Sequence, residues 1–327
     1  MFSKLTPLAE TGIPTLSCAN AAGRLLHSDS RQIKQGDIFV ACPGEYADGR
    51  SYIPAAVANG AAFVFWDDDG KFAWNPEWKV PNQGIKDLKH RAGILAAQVY
   101  GNVSDGLKVW GVAGTNGKTS ITQWLAQAAD LLGEKTAIVG TVGNGFWGAL
   151  EETTHTTPAP VDVQTLLYRF RQQGATVAAM EVSSHGLDQS RVNGVSFRSA
   201  IFTNLTRDHL DYHGTMEAYG AIKSRLFYWH GLKHAVINVD DEYGAELVGR
   251  LKKDCPDLAV YSYGFSEHAD IRITDFTASS DGIAAVFQTP WGEGKCRTRL
   301  LGRFNAQNLA ACIALLCANG YPLDKVL

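Results

Sequence analysis

The sequence predicts an α/β protein in two units: a small N-terminal α/β unit, then a larger doubly wound, mostly parallel sheet built on a phosphate loop. Three observations predict this. From Leu107 onwards, apolar strand-length runs alternate with segments of helical periodicity, the pattern of a parallel sheet covered by helices. The run Gly111 to Thr119 (GVAGTNGKT) lies between one such strand and one such helix. The length of 327 residues, with 45% hydrophobic and 19% charged side chains and 33 glycines, exceeds one ordinary core and is too apolar for disorder.

In the N-terminal unit, Asp37–Ala41 and Ala62–Trp66 are strand candidates, and Ile53 to Asn59 reads as a short helix closed by Gly60. The Pro- and Trp-rich stretch Asp67 to Gln83 reads as loop. Lys86 to Tyr100 carries Leu88, Ile94, Leu95 and Val99 at helical spacing. The stretch from Gly101 to Gly106 marks the boundary, so the units are expected at 1–105 and 106–327. In the second unit the strand Leu107–Gly111 enters the glycine-rich turn and Ser120 to Leu132 follows as helix. Further strands are expected at Thr136–Val139, Thr176–Val182, Ala200–Thr203, Ala235–Asn238 and Ala259–Ser262. Helices are expected at Val161–Gln173, Met216–Tyr228 and Ala306–Ala318, and a hairpin spans Ile271 to Phe287 about Ser279–Gly282.

Thirty basic against 33 acidic side chains give a net charge of −3, without the basic excess of a general nucleic-acid binder. The N-terminus lacks the apolar core of a signal peptide, and no apolar run approaches the ~18 residues of a membrane span. The six cysteines, with no CxxC pair and no zinc spacing, fit a reducing compartment, so the cytoplasm is expected.

A glycine-rich turn between strand and helix aims backbone N–H groups and the helix dipole at one point, which favours polyphosphate. Lys118 would reach the β- and γ-phosphates and the Thr119 hydroxyl would sit on Mg²⁺. Strict spacing wants glycine at Val112; it stands one place earlier, at Gly111. Glu181 ends a buried strand level with this loop, where it either supplies a carboxylate to magnesium or caps the following turn. Asp208, His209, Asp211 and His213 crowd the end of the next strand. Zinc is conceivable, but the spacing fits no common zinc site, and magnesium chemistry is the simpler reading. Alone, Lys223 reads as a solvated helix lysine. Asn305 resembles an N-cap, and Asn308 lies one turn on. Ser28 to Arg31 and Gly44 to Arg50 are polar loops that ordinary turns explain as well as a ligand does.

Together these motifs resemble the Mur ligase family, the ATP-dependent amide-bond ligases of peptidoglycan precursor synthesis. The resemblance rests on GTNGKT at Gly114 to Thr119 with its displaced glycine, and on Asp29-Ser30-Arg31. It rests further on GEYADGRSYIPA at Gly44 to Ala55, EVSSHGLDQSR at Glu181 to Arg191 and FTNLTRDHLDYHG at Phe202 to Gly214. The pattern is that of the members adding the third amino acid, and it covers nearly the whole chain. It implies a UDP-sugar-binding first domain, a central ATP-binding domain and a carbon–nitrogen ligase reaction through an acyl phosphate. The implied partners are UDP-MurNAc-L-Ala-D-Glu and a diamino acid, meso-diaminopimelate or lysine, with no nucleic acid, no membrane insertion and a monomeric state. It implies that Gly114, Thr115, Asn116, Gly117, Lys118, Thr119, Ser120, Asn305 and Asn308 bind ATP. Thr119, Glu181, His209 and Lys223 would hold two Mg²⁺ ions, Lys223 as a carbamate, which replaces its solvated reading. Lys118, Glu181, His209 and Lys223 would carry catalysis.

Ser28, Ser30, Glu45, Tyr46 and Ala47 would face the uridine end of the substrate, and Thr156, Thr157, Ser183, Gln189 and Arg191 its muramoyl-peptide side. Glu45-Tyr46 and His155 depart from the family pattern. No DNPR-like motif is present, so the expectation is a two-domain piece without the C-terminal amino-acid-binding domain and inactive alone. The alternatives are a folylpolyglutamate synthase-like ligase, a phosphate-loop kinase acting on an alcohol, or a module that binds substrate and ATP without turnover.

Overall fold

Two separate sheets carry the fold of the computed structural model, which describes residues 23–44 and 47–327. Contacts expected of Glu45 and Tyr46 lie outside the described residues. The smaller sheet pairs β1 (Leu26–His27), β2 (Ile38–Ala41), β3 (Phe63–Asp67) and β4 (Asn82–Ile85) in that order, all parallel. Helix α1 (Ile53–Ala58) covers one face and α2 (Leu88–Val99) the other. Alternation within β2 shows why: Ile38 and Val40 pack under α2, Phe39 and Ala41 under α1.

The larger sheet contains β5 (Lys108–Ala113), β6 (Thr136–Gly140), β7 (Gly143–Phe146), β8 (Ala149–Glu151), β9 (Val177–Glu181), β10 (Phe197–Phe202), β11 (His234–Asn238) and β12 (Ala259–Gly264). It also takes in β13 (Ile271–Ser279), β14 (Gly282–Thr289) and β15 (Gly292–Thr298). The order is β15-β14-β13-β12-β11-β10-β5-β9-β6-β7-β8, parallel from β13 through β6, with antiparallel hairpins at both edges. Its helices are α3 (Lys118–Leu131), α4 (Pro160–Gln172), α5 (Ser184–Asp188), α6 (Leu210–His213), α7 (Met216–Ser224), α8 (Glu242–Asp254), α9 (Arg303–Ala318) and α10 (Leu323–Val326). The central strands are buried on both faces. Trp110, Val112, Ala179, Ile201 and Val236 pack with α3 and α9, whereas Val109, Met180, Ala200 and Ile237 pack with α4 and α8. The expected α/β class and doubly wound sheet are what the structure has.

The two layers meet at α2 and α4. Tyr100 Oη accepts the Leu26 N–H at 2.8 Å and lies 2.9 Å from Thr165 Oγ1, and the Tyr100 and Tyr168 rings stack at 4.5 Å. Val161 of α4 completes the core of the small sheet.

Several elements depart from expectation. Strand β4 begins inside the stretch read as loop; β7 and β15 are glycine-rich and β8 is three residues long, so these strands at the two ends of the sheet lack the apolar runs that mark a buried strand. Helix α8 was missed because Gly244 and Gly249 weaken its propensity, although Asp241 caps it. Helix α9 starts at Arg303 with Gly302 as its N-cap, so Asn305 lies within the first turn and is not the cap. Among the described residues no helix is long and apolar enough to cross a membrane.

Candidate active site

Four neighbouring parallel strands, β10, β5, β9 and β6, end on the same side of the large sheet. Beyond β5 the chain turns through Gly114, whose φ of +142° suits glycine and where a Cβ would collide with Thr203 Oγ1. Gly117, at φ +86°, precedes α3 and lies against the Asn308 side chain of α9. Gly111 is not part of this turn. It sits inside β5 with the Phe197 ring packed on its Cα, so the displaced glycine serves strand packing.

The loop after β10 clamps the turn. Asn204 accepts the Thr115 N–H through its carbonyl at 2.8 Å and the Asn116 N–H through Oδ1 at 3.0 Å. Thr203 Oγ1 donates to the Asn116 carbonyl at 2.6 Å, and the Thr206 N–H donates to Thr115 Oγ1 at 3.0 Å. These clamp residues lie within a motif singled out from sequence, yet none was assigned to the loop. Their signal was the polar run directly after an apolar strand.

Two lysines converge on one carbonyl. Lys118 Nζ donates to the Gly114 and Thr115 carbonyls at 3.0 and 2.8 Å, and Lys223 Nζ donates to the Gly114 carbonyl at 2.8 Å. Lys223 is only 1% exposed and its Nζ lies 4.4 Å from the Tyr219 ring centroid, so the solvated-helix reading fails. Burial, with the nearby Lys118 charge, pushes Lys223 down to about 7, and Asp208 opposes this. Burial also lowers Lys118, against the pull of Glu181 and Asp208. Tyr219, unmentioned in the sequence reading, joins these parts: its Oη lies 3.4 Å from Thr115 Oγ1 and its ring stacks on His213.

Glu181 is 2% exposed at the end of β9. Thr119 Oγ1 donates to its Oε2 at 2.9 Å, and the Thr141 N–H donates to Oε1 at 2.8 Å. It does not cap the next turn; Ser183 does, accepting the Gly186 N–H at 3.0 Å. His209 has φ +50° and is exposed, with its ring edge-on to His185 at 5.0 Å and Nε2 3.4 Å from Asp208. Among the described residues no three His, Cys, Asp or Glu side chains form a metal-binding cluster. A hydroxyl and a carboxylate beside a phosphate loop fit magnesium, which takes few protein oxygens and completes its shell with phosphate and water.

The residues expected on the peptide side gather beside Glu181. Thr157 Oγ1 donates to the Glu181 carbonyl and accepts the Ser183 N–H, both at 3.0 Å. Arg191 donates to the Thr157 carbonyl at 2.8 Å and to Gln189 Oε1 at 2.6 and 3.0 Å. Thr156 Oγ1 lies 3.0 Å from Thr141 Oγ1. On the nucleotide side, Ser120 lies in the first turn of α3. Asn305 donates to the Leu301 carbonyl at 2.8 Å and accepts from Asn308 at 3.3 Å. Ser28, Ser30 and Ala47 stand apart, on loops of the small sheet. There Asp29 and Asp48 cap single helical turns and each holds the arginine two residues on, Arg31 and Arg50.

The family model for the Mur ligase middle domain matches residues 112–316, and that for the Mur ligase family catalytic domain matches residues 24–100. The chain belongs to the Mur ligase family. Over all 327 of its residues it is 98% identical to the UDP-N-acetylmuramoyl-L-alanyl-D-glutamate–2,6-diaminopimelate ligase of Neisseria meningitidis serogroup A, covering 66% of that protein. It is 55% identical to the Mur ligase of the same name from Chromobacterium violaceum, covering 99% of this chain and 65% of the relative. A solved structure of a ligase so named superposes with a TM-score of 0.79 at 32% identity, over 92% of this chain and 61% of the other. The chain therefore spans about two thirds of the length of these Mur ligases. The expectation of an inactive piece finds no support in these similarities.

Proposed function

We propose that the protein is the ATP-dependent ligase that joins diaminopimelate to UDP-MurNAc-L-Ala-D-Glu in peptidoglycan precursor synthesis, acting in the cytoplasm as a monomer. The observation that carries the reading is the convergence of Lys118, Thr119, Glu181 and Lys223 on one phosphate loop, in a chain 98% identical to a relative of that name. The relative's printed substrate favours diaminopimelate over lysine as the third amino acid. We assign the sugar nucleotide to residues 1–105 and ATP to 106–327.

The chemistry follows from these parts. The D-Glu carboxylate of the substrate attacks the γ-phosphorus of ATP, forming an acyl phosphate and expelling ADP. The amine of diaminopimelate then attacks the acyl carbon, expelling phosphate and losing a proton, and an amide results. Phosphoryl transfer needs positioning and charge stabilisation above all. Lys118 donates to two carbonyls of its own loop, and a phosphate there would offer it an anionic acceptor in their place. The N–H groups of the loop and the start of α3 face the same anion. Magnesium, when bound, neutralises phosphate charge, and Thr119, Glu181 and His209 are the groups assigned to it. Arg191, with its planar fork, is assigned to the anionic part of the peptide substrate, and Asn305 and Asn308 to adenine.

Lys223 has a further role in this reading. With its affinity for protons lowered to about 7, it carries a neutral amine at physiological pH. Such an amine adds CO₂, releasing one proton and leaving a carbamate, and the new anion would hold a second magnesium ion. The test is an assay with ATP, UDP-MurNAc-L-Ala-D-Glu and diaminopimelate, on this chain and on the full-length enzyme. One phosphate released per amide formed by the full-length enzyme supports the ligase; a phosphorylated alcohol without amide points to a kinase. Lys223→Ala in the full-length enzyme is expected to lose activity and to regain part of it with added short-chain carboxylates. Full activity of that variant without additives removes the carbamate from the mechanism.

A further inference from the structure

Thr141, the first residue beyond β6, makes contacts that its surroundings do not require of a threonine. The residue is exposed and fills no core, yet three polar contacts converge on it. Its N–H donates to Glu181 Oε1 at 2.8 Å, and its Oγ1 lies 3.2 Å from Glu181 Oε2 and 3.0 Å from Thr156 Oγ1. The preceding residue is Gly140, where any Cβ would collide with Glu181 Oε1. The end of β6 is thus shaped around that carboxylate from two consecutive positions.

A threonine hydroxyl carries one proton and can donate it to one acceptor at a time. Here two acceptors lie within reach, one on the carboxylate and one on the Thr156 side chain. Glu181 Oε2 already receives the Thr119 hydroxyl at 2.9 Å. The four side chains therefore form one chain of contacts, Thr119–Glu181–Thr141–Thr156, running from the phosphate loop to the peptide side.

We infer that Thr141 is a positioning residue: its hydroxyl fixes the orientation of the Glu181 carboxylate for a divalent cation and links that carboxylate to Thr156. The inference rests on the assignment of Glu181 to magnesium.

The test is calorimetric titration of the protein with ADP, with and without MgCl₂, for the wild type and for Thr141→Val, Thr141→Ser and Glu181→Gln. The readout is the factor by which Mg²⁺ strengthens ADP binding. Thr141→Val is expected to reduce that factor by about tenfold, the scale of losing one hydrogen bond to a charged group, while metal-free ADP binds as before. Thr141→Ser is expected to restore it. If Glu181→Gln loses the Mg²⁺ factor but Thr141→Val keeps it, the inference is overturned while the metal assignment stands. If Glu181→Gln keeps the factor, the metal assignment fails and the inference with it. If the valine variant also weakens metal-free ADP, or serine fails to restore the factor, Thr141 serves the fold alone and the inference is wrong.

Discussion

Replacing Lys223 by methionine is expected to change how stability depends on pH. Methionine keeps the length of the side chain but removes the amine that donates to the Gly114 carbonyl under the Tyr219 ring. In the folded protein burial and the charge of Lys118 lower Lys223 from about 10.5 to about 7. Below pH 7 the amine is charged in both states and the full cost of burying it is present. Between 7 and 10.5 the unfolded chain holds a proton that the folded chain has released, so wild-type stability rises with pH across that window. Each tenfold change in proton affinity is worth about 1.4 kcal/mol, so the whole displacement corresponds to a ceiling of about 5 kcal/mol. The portion between pH 7 and 9.5 is about 3 kcal/mol. The variant lacks this rise. Denaturant unfolding of both proteins from pH 6.5 to 9.5, in CO₂-free buffer, measures it. The stability difference should favour methionine most at the acid end and shift towards wild type as pH rises. Parallel curves would mean that Lys223 titrates as an ordinary lysine, and the account of a neutral buried amine would be refuted.

Two further substitutions probe the frame around the site. Thr157→Val removes a buried hydroxyl that joins the Glu181 carbonyl to the Ser183 N–H, and leaving that N–H without its acceptor is expected to cost about 1–3 kcal/mol in urea unfolding; an unchanged midpoint would contradict the bridging role. Gly114→Ala places a methyl group against Thr203 Oγ1 at a positive φ, so ADP binding should fall by at least tenfold in calorimetry, and wild-type affinity would show that the loop tolerates the shift.

Much of the central sheet was legible because its strands are buried on both faces. Runs such as Val109–Ala113 and Ala235–Ile237 are apolar without interruption and lie between helices of clear periodicity. The edges were not. Gly143–Phe146 and Gly292–Thr298 pair mainly through the backbone and carry little apolar signal, so only neighbours in space define them as strands. The site divides in the same way. Lys118, Thr119 and Glu181 were readable because spacing along one strand–turn–helix unit or a strand end places them. Lys223 was not readable from composition, since nothing in the local sequence says that its helix face turns inwards onto Gly114. Tyr219 and Thr141 were missed for a related reason. Each is an unremarkable residue in its own segment, and its meaning comes from a partner at least 40 residues away, Thr115 for one and Glu181 for the other.

The strand order explains why residues so distant in sequence meet around one loop. β5 lies between β10 and β9, and β9 lies beside β6, so four consecutive places in the sheet present their C-terminal ends together. At such a reversal of strand order a crevice opens above the sheet. Each strand end fills it with a different chemistry: Asn204 clamps the loop, Gly114 offers its carbonyl, Glu181 its carboxylate, and Thr141 holds that carboxylate in place. Helix α7 brings Lys223 over the same point. Two amine side chains thus share the Gly114 carbonyl, and burial lowers the proton affinity of both, with the nearby Lys118 charge adding to the effect at Lys223. In the proposed reaction a polyphosphate would offer Lys118 an anionic acceptor, and carbamylation would turn Lys223 into an anion. An anion beside Lys118 would raise the proton affinity of Lys223, and a carbamate at Lys223 would raise that of Lys118, because a nearby negative charge favours the charged amine.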